Sequence, residues 1–148
     1  MEQTNQTPIG IIIVGHGNYG SALLRAAESI LGPQEDCVAI SVDVAHEVDE
    51  AVRRLTDAAE RLDRGQGVIL LTDMFGGTPT NLALALLGKH KAEVVTGVNL
   101  PMLLKVIEAR ESEPLHDLAS KTGEAGKEGI VVAGKMLRGK GKNSEKNS

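Results

Sequence analysis

At 148 residues the chain is long enough to bury one core and short for a two-lobed enzyme, so a single domain is expected. Its 41% hydrophobic and 24% charged content is ordinary for a globular protein, and its apolar runs fall far short of the roughly 20 residues that span a bilayer. The net charge of −4 hides an asymmetry: residues 134–148 carry Lys135, Arg138, Lys140, Lys142 and Lys146 against Glu145, a tail of +4 that leaves −8 on the rest and argues against a nucleic-acid partner.

The opening "MEQTNQTP" lacks the basic and apolar regions of a secretory signal, so residues 1–8 read as a flexible lead and the cytoplasm as the expected location. The run "IGIIIV" (9–14) is a first strand, and its unbroken apolar character implies cover on both faces. It leads into "GHGNYG" (15–20) and a helix over 21–31 that Gly32 stops and Pro33 prevents from continuing. "CVAISV" (37–42) is the second strand. It holds Cys37, the single cysteine, which excludes an intramolecular disulfide and reads as a strand thiol. Between 48 and 62, Val48, Ala51, Val52, Leu55, Ala58, Ala59 and Leu62 recur at three- and four-residue steps, a helix laid on a sheet.

"GVILLT" (67–72) is the third strand, followed by "DMFGGTPTN", in which Thr78 and Pro79 suit the cap and first turn of a third helix. "AEVVTGV" (92–98) is the fourth strand, and Asn99 with Pro101 marks a fourth helix. A short helix near 115–121 and a fifth short strand, "GIVVAG" (129–134), end the domain at about residue 133; the basic tail 134–148 is expected to be disordered. Strands alternating with helices give an α/β, doubly wound parallel sheet of order 2-1-3-4. In that order the first and third strands are neighbours, and ligands bind beyond their carboxyl ends, where His16 and the 73–81 loop would meet.

Two chemistries compete there with a plain one. Read as a string, "GHGNYG" is a G-x-G-x-x-G with Asp43 placed as a ribose-binding carboxylate, the mark of a dinucleotide site, though it leaves His16 and the second glycine-rich loop without a task. Alternatively, Asp73 holds one ring nitrogen of His16 as N–H and the other offers its lone pair to an electrophile. Gly76, Gly77 and Thr78, at a helix start, and Gly17, at another, would then supply donors for a phosphoryl group. The plain reading gives the glycines to turns and Asp73 to a cap. Tyr19 and Phe75, the only Tyr and Phe, fall in these two loops, as befits either a docking rim or rings folded onto their own helices. His46, His90 and His116 form no pair at metal-ligand spacing, and no metal or cofactor site is expected.

The segments "IGIIIVGHGNYGSALLRAAESILG", "GVILLTDMFGGTPTNLA" and "VVTGVNLPMLLKVIEAR" resemble the IIA component of the mannose family of the bacterial sugar phosphotransferase system. The resemblance implies a phosphotransferase role: His16 accepts a phosphoryl group on Nε2 from phospho-HPr and passes it to a IIB component, with Asp73 as hydrogen-bonding partner. Membrane components IIC and IID are implied only indirectly. It implies phosphoryl contacts at Thr78 and neighbouring loop amides, a docking aromatic at Phe75, beside which Tyr19 and Met74 are expected to stand, and a homodimer whose last short strand joins the partner's sheet. A regulatory phosphoprotein with the same histidine stays open as an alternative.

Overall fold

Side chains alternate across a strand, so a continuous apolar run can be buried only if both faces are covered. Strand β1 (Gly10–Gly15) is buried at every position, as is β3 (Val68–Thr72). The computed structural model describes residues 7–42 and 48–146. In it these two strands form the centre of a four-stranded parallel sheet of order β2-β1-β3-β4, flanked by β2 (Cys37–Ser41) and β4 (Ala92–Thr96). This is the doubly wound order the strand–helix alternation predicts.

The two faces sort the helices. Ile12, Val14, Val68 and Leu70 pack with α2 (Val48–Leu62) and α3 (Gly77–Leu84), whereas Ile11, Ile13, Ile69 and Leu71 pack with α1 (Tyr19–Leu31), α4 (Leu100–Ala109) and α5 (Leu115–Glu128). In α2, Ala51, Leu55, Ala58, Ala59 and Leu62 are buried, but Val48 and Val52 are exposed, so the stripe is narrower than the sequence spacing suggests. Gly32 ends α1 with φ 91° and an N–H donated to the Glu28 carbonyl at 2.8 Å, as the Gly-Pro pair predicts. Asn99 caps α4: its Oδ1 accepts from the Met102 N–H at 3.1 Å, with Pro101 in the first turn.

The C-terminal third departs from expectation. Helix α5 continues to Glu128 instead of stopping near 121, and Gly126 lets it lie close against α4: a Cβ there would lie 2.6 Å from Met102 Cγ. Residues 130–132 take no part in this chain's sheet, and Ile130, Val131 and Val132 are exposed. Residues expected to be disordered instead form α6 (Ala133–Lys146), where Ala133, Lys135, Met136, Leu137 and Arg138 are good helix formers and offset the three glycines of the segment. Most of the expected N-terminal lead, and the 43–47 segment with Asp43 and His46, lie outside the described residues. Of the lead, Thr7 donates to the Arg64 carbonyl at 2.9 Å.

At the amino ends of the strands sits a feature without a sequence signal. Arg110 is only 5% exposed, and its guanidinium donates to the carbonyls of Ile9 (3.3 Å), Asp36 (3.0 Å) and Glu35 (2.6 Å) and to Gln34 Oε1 (3.2 Å). It ties the end of α4 to the entries of β1 and β2. Burial beside it pushes the Cys37 thiol up to about 12, so this cysteine is a neutral strand residue at physiological pH. Replacing Arg110 by Leu keeps the bulk but takes a donor from three backbone carbonyls, of which Asp36 keeps the Ile11 N–H at 3.0 Å. Arg110→Leu is expected to lower stability by about 2–4 kcal/mol in equilibrium denaturant unfolding; a loss below about 0.5 kcal/mol would show that water replaces the guanidinium.

Candidate functional site

Strands β1 and β3 run in parallel with Val14 opposite Thr72, so the residues that follow them, Gly15-His16 and Asp73, emerge side by side. Asp73 Oδ2 accepts the backbone N–H of His16 at 2.9 Å and lies 2.7 Å from its Nδ1. An ionised carboxylate has only lone pairs to offer, so Nδ1 carries the proton and Nε2 is left with its lone pair. The His16 side chain is 42% exposed and that of Asp73 only 12%. The carboxylate is thus sheltered while the ring reaches the surface.

Each glycine of "GHGNYG" has its own reason. A Cβ on Gly15 would lie 3.2 Å from Asp73 Oδ2, so a bare Cα lets the carboxylate approach. Gly17 turns the chain with φ 54°. Gly20 brings α1 onto the sheet, where a Cβ would be 3.1 Å from Ile13 Cγ2. Helix packing and carboxylate approach therefore account for the G-x-G-x-x-G spacing without a dinucleotide, and Asp43 lies outside the described residues.

The loop after β3 turns through two left-handed glycines, Gly76 (φ 85°) and Gly77 (φ 81°), into α3. The cap is Gly76 and not Thr78, which lies half-buried within the first turn, because a positive φ is required where the cap falls. No side chain caps α3, so its first N–H groups point outward unpartnered by a cap. Helix α1 likewise lacks a side-chain cap at Asn18. A Cβ on Gly77 would lie 3.8 Å from His16 Cε1, which places the start of α3 beside the ring edge that bears Nε2.

Phe75 (81% exposed) and Met74 (54%) stand on the same loop as apolar side chains in water. Tyr19 divides its ends: the ring is partly exposed, and the hydroxyl donates to the Val98 carbonyl at 2.6 Å, bridging α1 to the loop after β4. Sequence reasoning misses two further residues. Thr72 and Thr80, 0% and 1% exposed, have their hydroxyls 2.8 Å apart beneath Asp73, and Thr80 donates to the Met74 carbonyl at 2.6 Å. A threonine closing an apolar strand gives no signal of this by itself. His90 and His116 lie elsewhere, His116 exposed with Nδ1 3.6 Å from Glu93 Oε1, and His46 lies outside the described residues. Among the described residues no group of three or more His, Cys, Asp or Glu could hold a metal. A cavity of about 730 Å³ between α4 and α5 contains none of the His16 site residues. That site is an open surface.

Asp73 feels opposed forces. Burial, the strongest, raises its pKa, but the hydrogen bonds from the His16 N–H and ring, the His16 charge and the Met74 N–H together outweigh it and hold the carboxyl below its ordinary 3.8.

Residues 10–122 match the EIIA-man family model, described as PTS system fructose IIA component. The chain is 28% identical over 130 residues to the fructose-specific EIIA component of Bacillus subtilis, covering 87% of this chain and 89% of that one. It is 35% identical over 124 residues to the mannose-specific EIIAB component of Escherichia coli, covering 82% of this chain but only 38% of the length of that relative. Among solved structures it is similar to the phosphotransferase system component EIIA from Streptococcus agalactiae, with TM-score 0.78 and 32% identity over 86% of this chain and 98% of that one.

A carboxylate whose pKa is lowered by folding adds stability above its unfolded value and loses it as pH falls through the lower folded one. The stability gap between wild type and Asp73→Asn is therefore expected to be full above about pH 5 and to shrink as pH falls through 3.8 and below. Denaturant titrations between pH 7 and pH 2 measure it; a gap independent of pH would remove the carboxylate as its source.

Proposed function

We propose that this chain, which belongs to the mannose family (EIIA-man) of phosphotransferase-system IIA components, carries a phosphoryl group on Nε2 of His16. Phospho-HPr is the proposed donor, a IIB component the acceptor and the cytoplasm the place of exchange, with membrane IIC and IID reached only through IIB. The observation that carries the reading is the 2.7 Å contact of Nδ1 with Asp73 Oδ2, which commits one ring nitrogen and frees the other.

In the proposed step the Nε2 lone pair attacks the phosphorus of the donor phosphohistidine in line with its P–N bond. That bond breaks and its electron pair stays on the donor nitrogen. The His16 ring gains positive charge, which the Asp73 carboxylate offsets without taking the Nδ1 proton, as expected for a charge-assisted hydrogen bond worth about 1.5–3 kcal/mol. The N–H groups opening α3, with Gly17 and the Thr78 hydroxyl, are suited to the equatorial oxygens, where phosphoryl transfer depends mainly on positioning and charge. Tyr19, Met74 and Phe75 offer partners an apolar rim. The enzyme role is that of a phosphotransferase with a covalent intermediate.

We also propose a homodimer. β4 has one hydrogen-bonding edge unpaired among the described residues, and the apolar Ile130, Val131 and Val132 stand exposed, a segment suited to pair with a partner's edge strand.

Incubation with Enzyme I, HPr and phosphoenolpyruvate is expected to give one acid-labile, base-stable phosphoryl unit per chain, absent in His16→Ala and kept in His90→Ala. Asp73→Asn is expected to slow transfer by about 10- to 100-fold. Phosphorylation of His16→Ala at the wild-type rate would end the proposal. For the dimer, sedimentation is expected to report two chains for the wild type and one for Val131→Lys; a monomeric wild type at micromolar concentration would refute it.

A further inference from the structure

We infer that the buried Thr72–Thr80 hydroxyl pair is a positioning device that keeps His16 in the Nδ1–H tautomer by fixing the backbone that carries Asp73. The inference rests on the proposed role of His16 only where transfer rates are read.

Neither threonine is needed for shape. Valine matches threonine in outline, and at sites 0% and 1% exposed it would fill the same space without a hydroxyl to satisfy. The hydroxyls must therefore be satisfied inside the protein, and the arrangement shows how. Thr80 donates to the Met74 carbonyl at 2.6 Å, which uses its single proton. Thr72, 2.8 Å away, then donates to the Thr80 oxygen, and each bond polarises the next. Thr72 ends β3 and Thr80 belongs to the first turns of α3, so the pair joins the two elements that bracket the loop.

Asp73 depends on that loop. Its Oδ1 is buried with no hydrogen-bond partner among the described residues, so the carboxylate is not held from its second oxygen. Its orientation is set by the two contacts Oδ2 makes with His16 and by the backbone on either side. On one side Thr72 is fixed in the sheet, its carbonyl accepting from the Val98 N–H at 2.9 Å. On the other side the Met74 carbonyl is held chiefly by Thr80 at 2.6 Å, the Thr72 hydroxyl lying 3.5 Å from it, while the Met74 N–H favours the charged carboxylate. Without the Thr80 hydroxyl, the Met74 carbonyl keeps only the long 3.5 Å approach of the Thr72 hydroxyl. The peptide rotates toward water, Asp73 follows, and Nδ1 loses the acceptor that keeps its proton.

The test uses the full-length, unphosphorylated protein with ¹⁵N-labelled histidine. Imidazole ¹⁵N shifts of neutral His16 are expected to report the Nδ1–H form in the wild type and in Thr80→Ser. In Thr80→Val a mixture with Nε2–H is expected, together with phosphoryl acceptance slowed about tenfold and restored within about twofold by Thr80→Ser. A hydroxyl that only supports the fold would lower the unfolding midpoint of Thr80→Val and leave the tautomer unmoved, and that result overturns the inference. So does a Thr80→Ser ring that matches Thr80→Val. If Thr80→Val does not fold, Thr72→Val, which keeps the Met74 contact but removes its polarising donor, is expected to shift the tautomer in the same direction by less; an unchanged ring there overturns the inference as well. A wild-type ring already protonated on Nε2 instead overturns the reading of Asp73 beneath it, and a wild type that accepts no phosphoryl group overturns only the proposed function.

Discussion

One oxygen, Asp73 Oδ2, receives both the backbone N–H and the imidazole Nδ1 of His16, residues 57 positions apart in the chain. Two donors from one residue fix the ring in angle as well as distance, which a single bond would not do. Hydrogen bonds to a charged group contribute only about 1.5–3 kcal/mol each, and ordering two side chains opposes them. The arrangement persists because β1 and β3, buried on both faces, bring the two residues together whether or not they bond. The site is a consequence of strand adjacency, refined by a missing Cβ at Gly15.

That adjacency is legible in the sequence. Four apolar runs separated by helical periods lead to the order 2-1-3-4, and the order alone places the loops of His16 and Asp73 together. Local chemistry was legible where a side chain performs it: Asn99 caps α4 through its own Oδ1. It was less so where a glycine does, since Gly76 takes the cap that Thr78 promised. The apolar stripe of α2 narrows for a similar reason, because spacing says which residues share a side and not how far the sheet extends over Val48 and Val52.

What the sequence concealed shares a common cause. Arg110, Tyr19 and Thr80 all donate to backbone carbonyls, and a carbonyl looks the same at every position of a sequence. The ends of a parallel sheet expose such acceptors, and this chain answers them from distant elements: Arg110 at the amino ends, Tyr19 on Val98 at the carboxyl ends. The C-terminal segment misleads for a different reason. Gly126 looks like a helix breaker until the approach of Met102 is known, and "IVV" looks like a strand whether or not a strand lies within reach to pair it.

The distribution of exposure also decides which kind of ligand the site suits. An enclosed pocket recognises a small molecule by surrounding it; here the roomy cavity lies between α4 and α5, and the histidine stands on an open face between exposed Met74, Phe75 and Tyr19. A group handed from one macromolecule to another needs such a face, because donor and acceptor must each reach Nε2 in turn and leave. It also needs the opposite at Nδ1, where water would compete for the Asp73 carboxylate. The 42% and 12% exposures of the two side chains meet both demands within a single 2.7 Å contact.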